Sequence, residues 1–107
     1  MNTTFPIIQQ GTIISSGNTI YSPHTLYGGI ITNIKITNIV GAYVISLYRY
    51  IKTLGARMLL YKLSLDLGDI VNDDTEYRIK SGDYLYLESD VANTIYAVSG
   101  IESVESN

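Results

Sequence analysis

The chain contains no cysteine, which excludes a disulfide framework, a thiolate nucleophile and a cysteine-based zinc site together. Histidine occurs once, as His24. A metal site built from several imidazoles is therefore excluded by number, and any Ser/His/Asp arrangement would depend on that single ring. His24 sits beside Pro23 in turn-forming sequence with no Gly-x-Ser-x-Gly elbow anywhere in the chain, so a surface turn residue is the better reading. Positive charge is also scarce. Seven Lys and Arg stand against ten Asp and Glu, a net charge of -3, and the basic residues are scattered, which argues against a nucleic-acid partner that needs a basic face. No apolar run approaches the roughly 20 residues of a membrane span. The opening MNTTFPIIQQ lacks the charged and apolar regions of a signal peptide, so the protein is expected to be soluble when made, without a membrane partner, and to leave a cell with a particle or by lysis.

What the chain does have is strand grammar. At 107 residues and 46% hydrophobic content it fits one core, because two cores of this total length would each be too small. Ile, Val, Thr and Tyr recur in short runs punctuated by Gly, Asn, Asp and Ser, the pattern of strands and tight turns. Gln9 to Tyr21 reads as a small hairpin around Ser15-Ser16-Gly17-Asn18. Ile30 to Ile39 reads as a long strand with Ile30, Thr32, Ile34 and Ile36 on the core face. Ala42 to Ile51 carries bulk on both faces, Tyr43, Ile45 and Leu47 opposite Val44, Ser46, Tyr48 and Tyr50, as expected of a central strand or one covered by another subunit. Met58 to Leu67 alternates as a half-buried strand, followed by short strands at Ile70-Val71 and Glu76 to Ile79 and two more at Tyr84 to Ser89 and Thr94 to Ile101. With no helix-length 3.6-residue period, the expected fold is all-β: a single-domain β-sandwich or jelly roll of about eight antiparallel strands. The divisions are an N-terminal arm at 1–10, the sandwich at 11–102 and a C-terminal tail at 103–107.

No residue set points to catalysis or to a cofactor. Asp66, Asp69, Asp73, Asp74 and Glu76 could supply oxygen ligands for calcium or a carboxylate pair for glycoside hydrolysis, yet their spacing is not that of an EF-hand loop and turn chemistry explains them better. Gly68-Asp69 and Gly82-Asp83 likewise read as turns, since phosphate cradles need glycines ahead of a helix. The unusual signal is aromatic: ten tyrosines against one phenylalanine and no tryptophan. Tyrosine buries a ring while its hydroxyl reaches a polar partner, which suits subunit interfaces and sugar platforms, and some are simply core. Tyr48, Tyr50, Tyr84 and Tyr86 are the candidate subunit interface, joined by Phe5, Ile7 and Ile8 of the N-terminal arm docking on a neighbour.

In their order along the chain, several segments resemble a family of small virion structural proteins of tailed bacteriophages. These are the Gly11-to-Tyr21 stretch, Ile34-Lys35-Ile36-Thr37-Asn38, Val44 to Tyr48, Leu63 to Leu67 with Gly68, Ser81-Gly82-Asp83-Tyr84-Leu85 and Ala97-Val98-Ser99-Gly100-Ile101-Glu102. The resemblance implies a compact β-sandwich or jelly roll repeated around a symmetry axis, often as a homotrimer, in a virion. It implies no catalytic residue, metal or cofactor. Its expected partners are further copies of itself and virion proteins such as the major capsid protein or a fibre. A head-associated part, an auxiliary capsid protein or the anchor of a head fibre, comes first and a tail component next. The Asn-, Ile-, Lys- and Tyr-rich composition fits an AT-rich genome such as those of crAss-like phages. The rival from another class is a carbohydrate-binding adhesion module.

Overall fold

The computed structural model describes residues 4–13, 17–39, 41, 43–89 and 94–104. Nine strands occur among them: β1 (Thr4–Ile13), β2 (Asn18–Tyr21), β3 (Tyr27–Thr37), β4 (Tyr43–Ile51), β5 (Ala56–Leu65), β6 (Ile70–Asp73), β7 (Tyr77–Ile79), β8 (Tyr84–Ser89) and β9 (Thr94–Val104). The first sheet has the order β1-β9-β3-β6, with β7 pairing β3 beyond β6, and the second has β2-β8-β4-β5. Every ladder is antiparallel. With β6 and β7 taken as one interrupted edge, this is the strand order of an eight-stranded jelly roll, and the expected fold class holds.

The core lies between the sheets and is built from alternate residues of both. Ile7, Ile31, Ile34, Ile36, Tyr96 and Val98 come from the first sheet, and Ile20, Tyr21, Tyr43, Ile45, Leu47, Leu65, Leu85 and Leu87 from the second. Period-2 alternation delivers this wherever a strand is regular. It fails at extra residues, most informatively on β3. On β3, Ile31 pairs Gly100 of β9 and Asn33 pairs Ser99, so Thr32 is an extra residue, a β-bulge. The inward phase is therefore Gly29 and Ile31 before the bulge and Ile34 and Ile36 after it. The expected core face was right for Ile34 and Ile36 and wrong for Ile30 and Thr32, because one inserted residue flips every side chain before it.

Two further expectations give way to topology. The Gln9-to-Tyr21 hairpin does not form: β1 pairs β9 in the first sheet, whereas β2 pairs β8 in the second. The turn residues 14–16 read there lie outside the described residues. Nor are residues 4–10 a free arm, since they are the first part of β1 and pair Ser103 through Ala97 of β9. Pairing satisfies backbone groups that an arm would leave to water, and it seats Ile7 in the core at 4% exposure. The β4–β5 connection is a hairpin, its tip closed by Leu54 and Gly55 backbone N–H groups donating to Ile51 O at 3.1 and 2.9 Å. Asn38, fully buried, ties the β3–β4 connection to the β5–β6 turn: its Nδ2 donates to Gly41 O and Asp66 O, both at 2.6 Å.

The bulge depends on Gly100. A Cβ there would lie 2.1 Å from Ile30 O and 2.9 Å from Ile31 Cα, and backbone cannot step aside as a flexible side chain can. Gly100→Ala is expected to lower unfolding free energy by at least about 1–3 kcal/mol in urea denaturation, the cost of overpacking, while Ser99→Ala next to it stays within about 0.5 kcal/mol.

Candidate functional site

The four candidate tyrosines meet on one surface. Tyr48 of β4 lies opposite Tyr86 of β8, and Tyr50 opposite Tyr84, so all four point outward from the second sheet while Leu47, Arg49, Leu85 and Leu87 hold the alternate phase. Residues directly opposite in an antiparallel pair are close enough to touch. The Tyr50 and Tyr84 rings stack with centroids 4.6 Å apart and planes 11° from parallel. Arg57, opposite Tyr50 on β5, places its guanidinium carbon 3.8 Å from the Tyr86 ring centroid and 6.0 Å from that of Tyr84. Leu59, opposite Tyr48, is exposed beside them. The result is a platform of half-buried rings capped by one cation. Sequence alternation on β4 and β8 found the tyrosines. It missed Arg57 and Leu59, because a second bulge, at Leu60 between the Leu47–Tyr61 and Tyr48–Leu59 pairs, shifts β5 into phase with them.

The N-terminal candidates separate. Ile7 is in the core, Ile8 stands 77% exposed on the outer face of the first sheet, and Phe5, at the rim, packs against Tyr27 with ring centroids 5.8 Å apart. None of the three lies on the sheet that carries the tyrosines. The acidic group serves turns: Asp69 Oδ2 accepts from Asp66 N at 2.8 Å, and Asp73 accepts from Thr75 N at 3.0 Å and from Tyr77 Oη at 2.7 Å. Burial and then the hydrogen bond to Asp73 push the Tyr77 hydroxyl up to about 12. Among the described residues no group of three or more His, Asp or Glu side chains is placed to hold a metal ion.

A second polar cluster joins residues that are far apart in sequence. Glu102 occupies an inward position of β9, where a carboxylate is costly unless paired. Its Oε1 accepts from Tyr21 Oη at 3.0 Å and from His24 N at 2.9 Å, and its Oε2 lies 2.9 Å from His24 Nδ1. Gly29 makes room for this, since a Cβ there would lie 2.1 Å from the Tyr21 hydroxyl. Burial pushes the Glu102 carboxyl up, and the hydrogen bonds from His24 and Tyr21 outweigh it, so its pKa lies below the ordinary value. The same cluster, with burial first, pushes the Tyr21 hydroxyl well up. The signal available in sequence was a lone Glu in the inward phase of Thr94, Tyr96, Val98 and Gly100; its partners, 78 and 81 positions away, carried none.

No family model matches the sequence, and no curated protein does. By structure the chain is similar to a subunit of the Bacillus endospore appendages, a family of disulfide-linked pili. That TM-score is 0.60 over 98% of this chain and 89% of that one, at 10% identity. It is also similar to a chain of the T13 viral particle of infectious bursal disease virus, with TM-score 0.50 over 95% of this chain and 34% of that one, at 11% identity. A pentameric capsid protein from metagenomic phage sequences aligns with TM-score 0.46 over 87% of this chain and 60% of that one, at 13% identity. The first two likenesses establish the fold: an antiparallel jelly-roll sandwich of a kind found in a virus particle and in a pilus.

Two measurements follow. In a double-mutant cycle of Tyr50→Leu and Tyr84→Leu, urea denaturation is expected to give a coupling of about 0.5–1.5 kcal/mol, the value of a ring pair beyond its buried area. Because the folded-state pKa of Glu102 is depressed, its contribution to stability is present above the ordinary value of 4.5 and is lost as pH falls through the folded value. The urea midpoint should therefore drop as the pH falls below about 4.5, and drop less in Glu102→Gln. Asp73, also held low, by hydrogen bonds that outweigh its burial, keeps part of the dependence in that variant.

Proposed function

We propose that this chain is a non-enzymatic structural subunit of a bacteriophage virion, a head-associated auxiliary capsid or head-fibre-anchoring protein that assembles as a homotrimer against the major capsid protein or a fibre. The observation that carries this reading is the tyrosine face of the second sheet. An outward sheet face that meets only water alternates to polar residues, whereas this one presents Tyr48, Tyr50, Tyr84, Tyr86, Val44 and Leu59. Interfaces between subunits concentrate Tyr, Arg and apolar anchors and fence them with polar residues; here Lys62, Ser46 and Glu88 make a polar row beside the Tyr48–Tyr86 pair, with Val44 beyond it. The family resemblance of the ordered segments and the membership of structurally similar chains in assembled particles support the same reading.

The glycan-module alternative has fewer ring faces to use than four separate tyrosines would offer. Tyr50 and Tyr84 cover one face of each other, and Arg57 covers one of Tyr86. A tail or appendage component is the second reading, favoured by the whole-chain similarity to a pilus subunit in both directions. The disulfide linkage of that pilus family is not available to a chain without cysteine.

Multi-angle light scattering across a dilution series tests the proposal. The expected mass is about three times the 11.9 kDa of one chain, and Tyr48→Glu, which buries a charge in the contact, should return it to that of one chain with an unchanged circular dichroism spectrum. A monomer at every concentration, or a multimer indifferent to Tyr48→Glu, overturns the interface.

A further inference from the structure

At the rim of the first sheet, away from the tyrosine face, Phe5, Pro6, His24, Tyr27 and Glu102 line an open cavity of about 390 Å³. Its walls are aromatic, with Phe5 and Tyr27 tilted at 5.8 Å between ring centroids and His24 edge-on to Tyr27 at 6.2 Å. Among the described residues, the only carboxylate lining it is Glu102, whose side chain is 8% exposed against 82% for His24. An ionised carboxylate has about four acceptor positions. Three are taken, by Tyr21 Oη, His24 N and His24 Nδ1, which leaves one on Oε2.

The charge of this site is simple to account for. No Lys, Arg, Asp or Glu precedes Lys35 in the chain, so β1 and β2 bring no formal charge to it, and Tyr21 and Tyr27 are the titratable neighbours on β2 and β3. A carboxylate only accepts, so with Glu102 ionised the His24 Nδ1 carries the shared proton and Nε2 is the ring's free nitrogen. With His24 neutral, the described residues that line the site hold one net negative charge between aromatic walls. With His24 protonated, they hold none. The backbone that presents the ring is itself held in an uncommon conformation: Leu26, two residues on, has φ of +69°, the left-handed region that a branched apolar side chain rarely adopts.

We infer that this cavity is a binding site for an organic cation, an alkylammonium or guanidinium group that donates to the open position on Glu102 Oε2 and lies against the Phe5 and Tyr27 rings. Each part supplies a separate energy: a charge-assisted hydrogen bond to a desolvated carboxylate, and the attraction of a cation for ring faces. A lysine or arginine side chain of a neighbouring polypeptide and a free amine share this chemistry. The site does not depend on the trimer or on the tyrosine face, so its failure and the failure of the proposed function are separate results.

The single histidine gives one imidazole Hε1 resonance, which makes the test direct on the whole protein. At about pH 7.5, n-butylammonium and n-butylguanidinium are expected to shift the His24 signal saturably at millimolar concentration, with n-butanol, the neutral isostere, at least about tenfold weaker. Glu102→Gln should lose binding by about tenfold or more. Tyr27→Leu, which leaves Glu102 and its partners in place, should weaken the cations and leave butanol unchanged, and it keeps the test decisive where Glu102→Gln does not fold. A capped Gly-Lys-Gly peptide binding more tightly than n-butylammonium marks a polypeptide as the source, and the reverse order marks a free amine. Equal binding of butanol and the cations, no saturable shift by either cation, or cation binding unaffected by both variants overturns the assignment.

Discussion

The ladder between β3 and β9 is the constraint on which the first sheet hangs. Ten residue pairs join the two strands, β1 attaches to the far side of β9, and β6 and β7 attach to β3. Its single extra residue, Thr32, sets which isoleucines enter the core, and Gly100 is what lets the two backbones approach at that point. A slip of β3 by one residue along β9 would turn Ile34 and Ile36 outward while Tyr96 and Val98 stayed inward. The cost of that is the loss of β3's apolar side chains from the core, so the register is strongly determined.

The two sheets put their outer faces to different uses. On the second, tyrosines in cross-strand register make a coherent patch whose rings support one another, with Arg57 drawn over them from the edge strand. On the first, Ile8, Ile95 and Ile101 are exposed but alternate along the strands with Gln10, Ala97 and Ser99, so no aromatic patch forms. Two polar groups that enter the core are met there by hydrogen bonds: Thr94 Oγ1 donates to Tyr43 Oη at 2.7 Å, and Glu102 is met by three donors. Those donors come from β2 and the turn after it, which makes Glu102 the link between the end of the chain and its beginning.

The assembly proposed above would have a physical basis. A small jelly roll buries a limited core, and a neighbour that covered an apolar face would add to stability by mass action. The edge strand β5 is ten residues long, exposes Met58, Leu59 and Leu63, and carries Arg57 and Lys62, charges of the kind that keep edges from pairing indiscriminately.

Much of this was legible in the sequence because strands impose a period of two. Residue pattern alone determined the all-β class, the strands at 43–51, 56–65, 84–89 and 94–104 to within a few residues, and the fact that Tyr48 and Tyr50, and Tyr84 and Tyr86, share a phase on their own strands. Only the tertiary structure decided which strands pair. That choice undid the expected β1–β2 hairpin, made a strand of residues 4–10 and drew Ile7 into the core. It also set the bulges, which local pattern does not mark because an inserted residue is visible only against its partner strand. The Glu102 cluster belongs to the same category: a turn histidine, a strand tyrosine and a carboxylate near the far end of the chain have no relation until the jelly roll brings β2, β3 and β9 to one rim, and from there proximity and burial give them their chemistry.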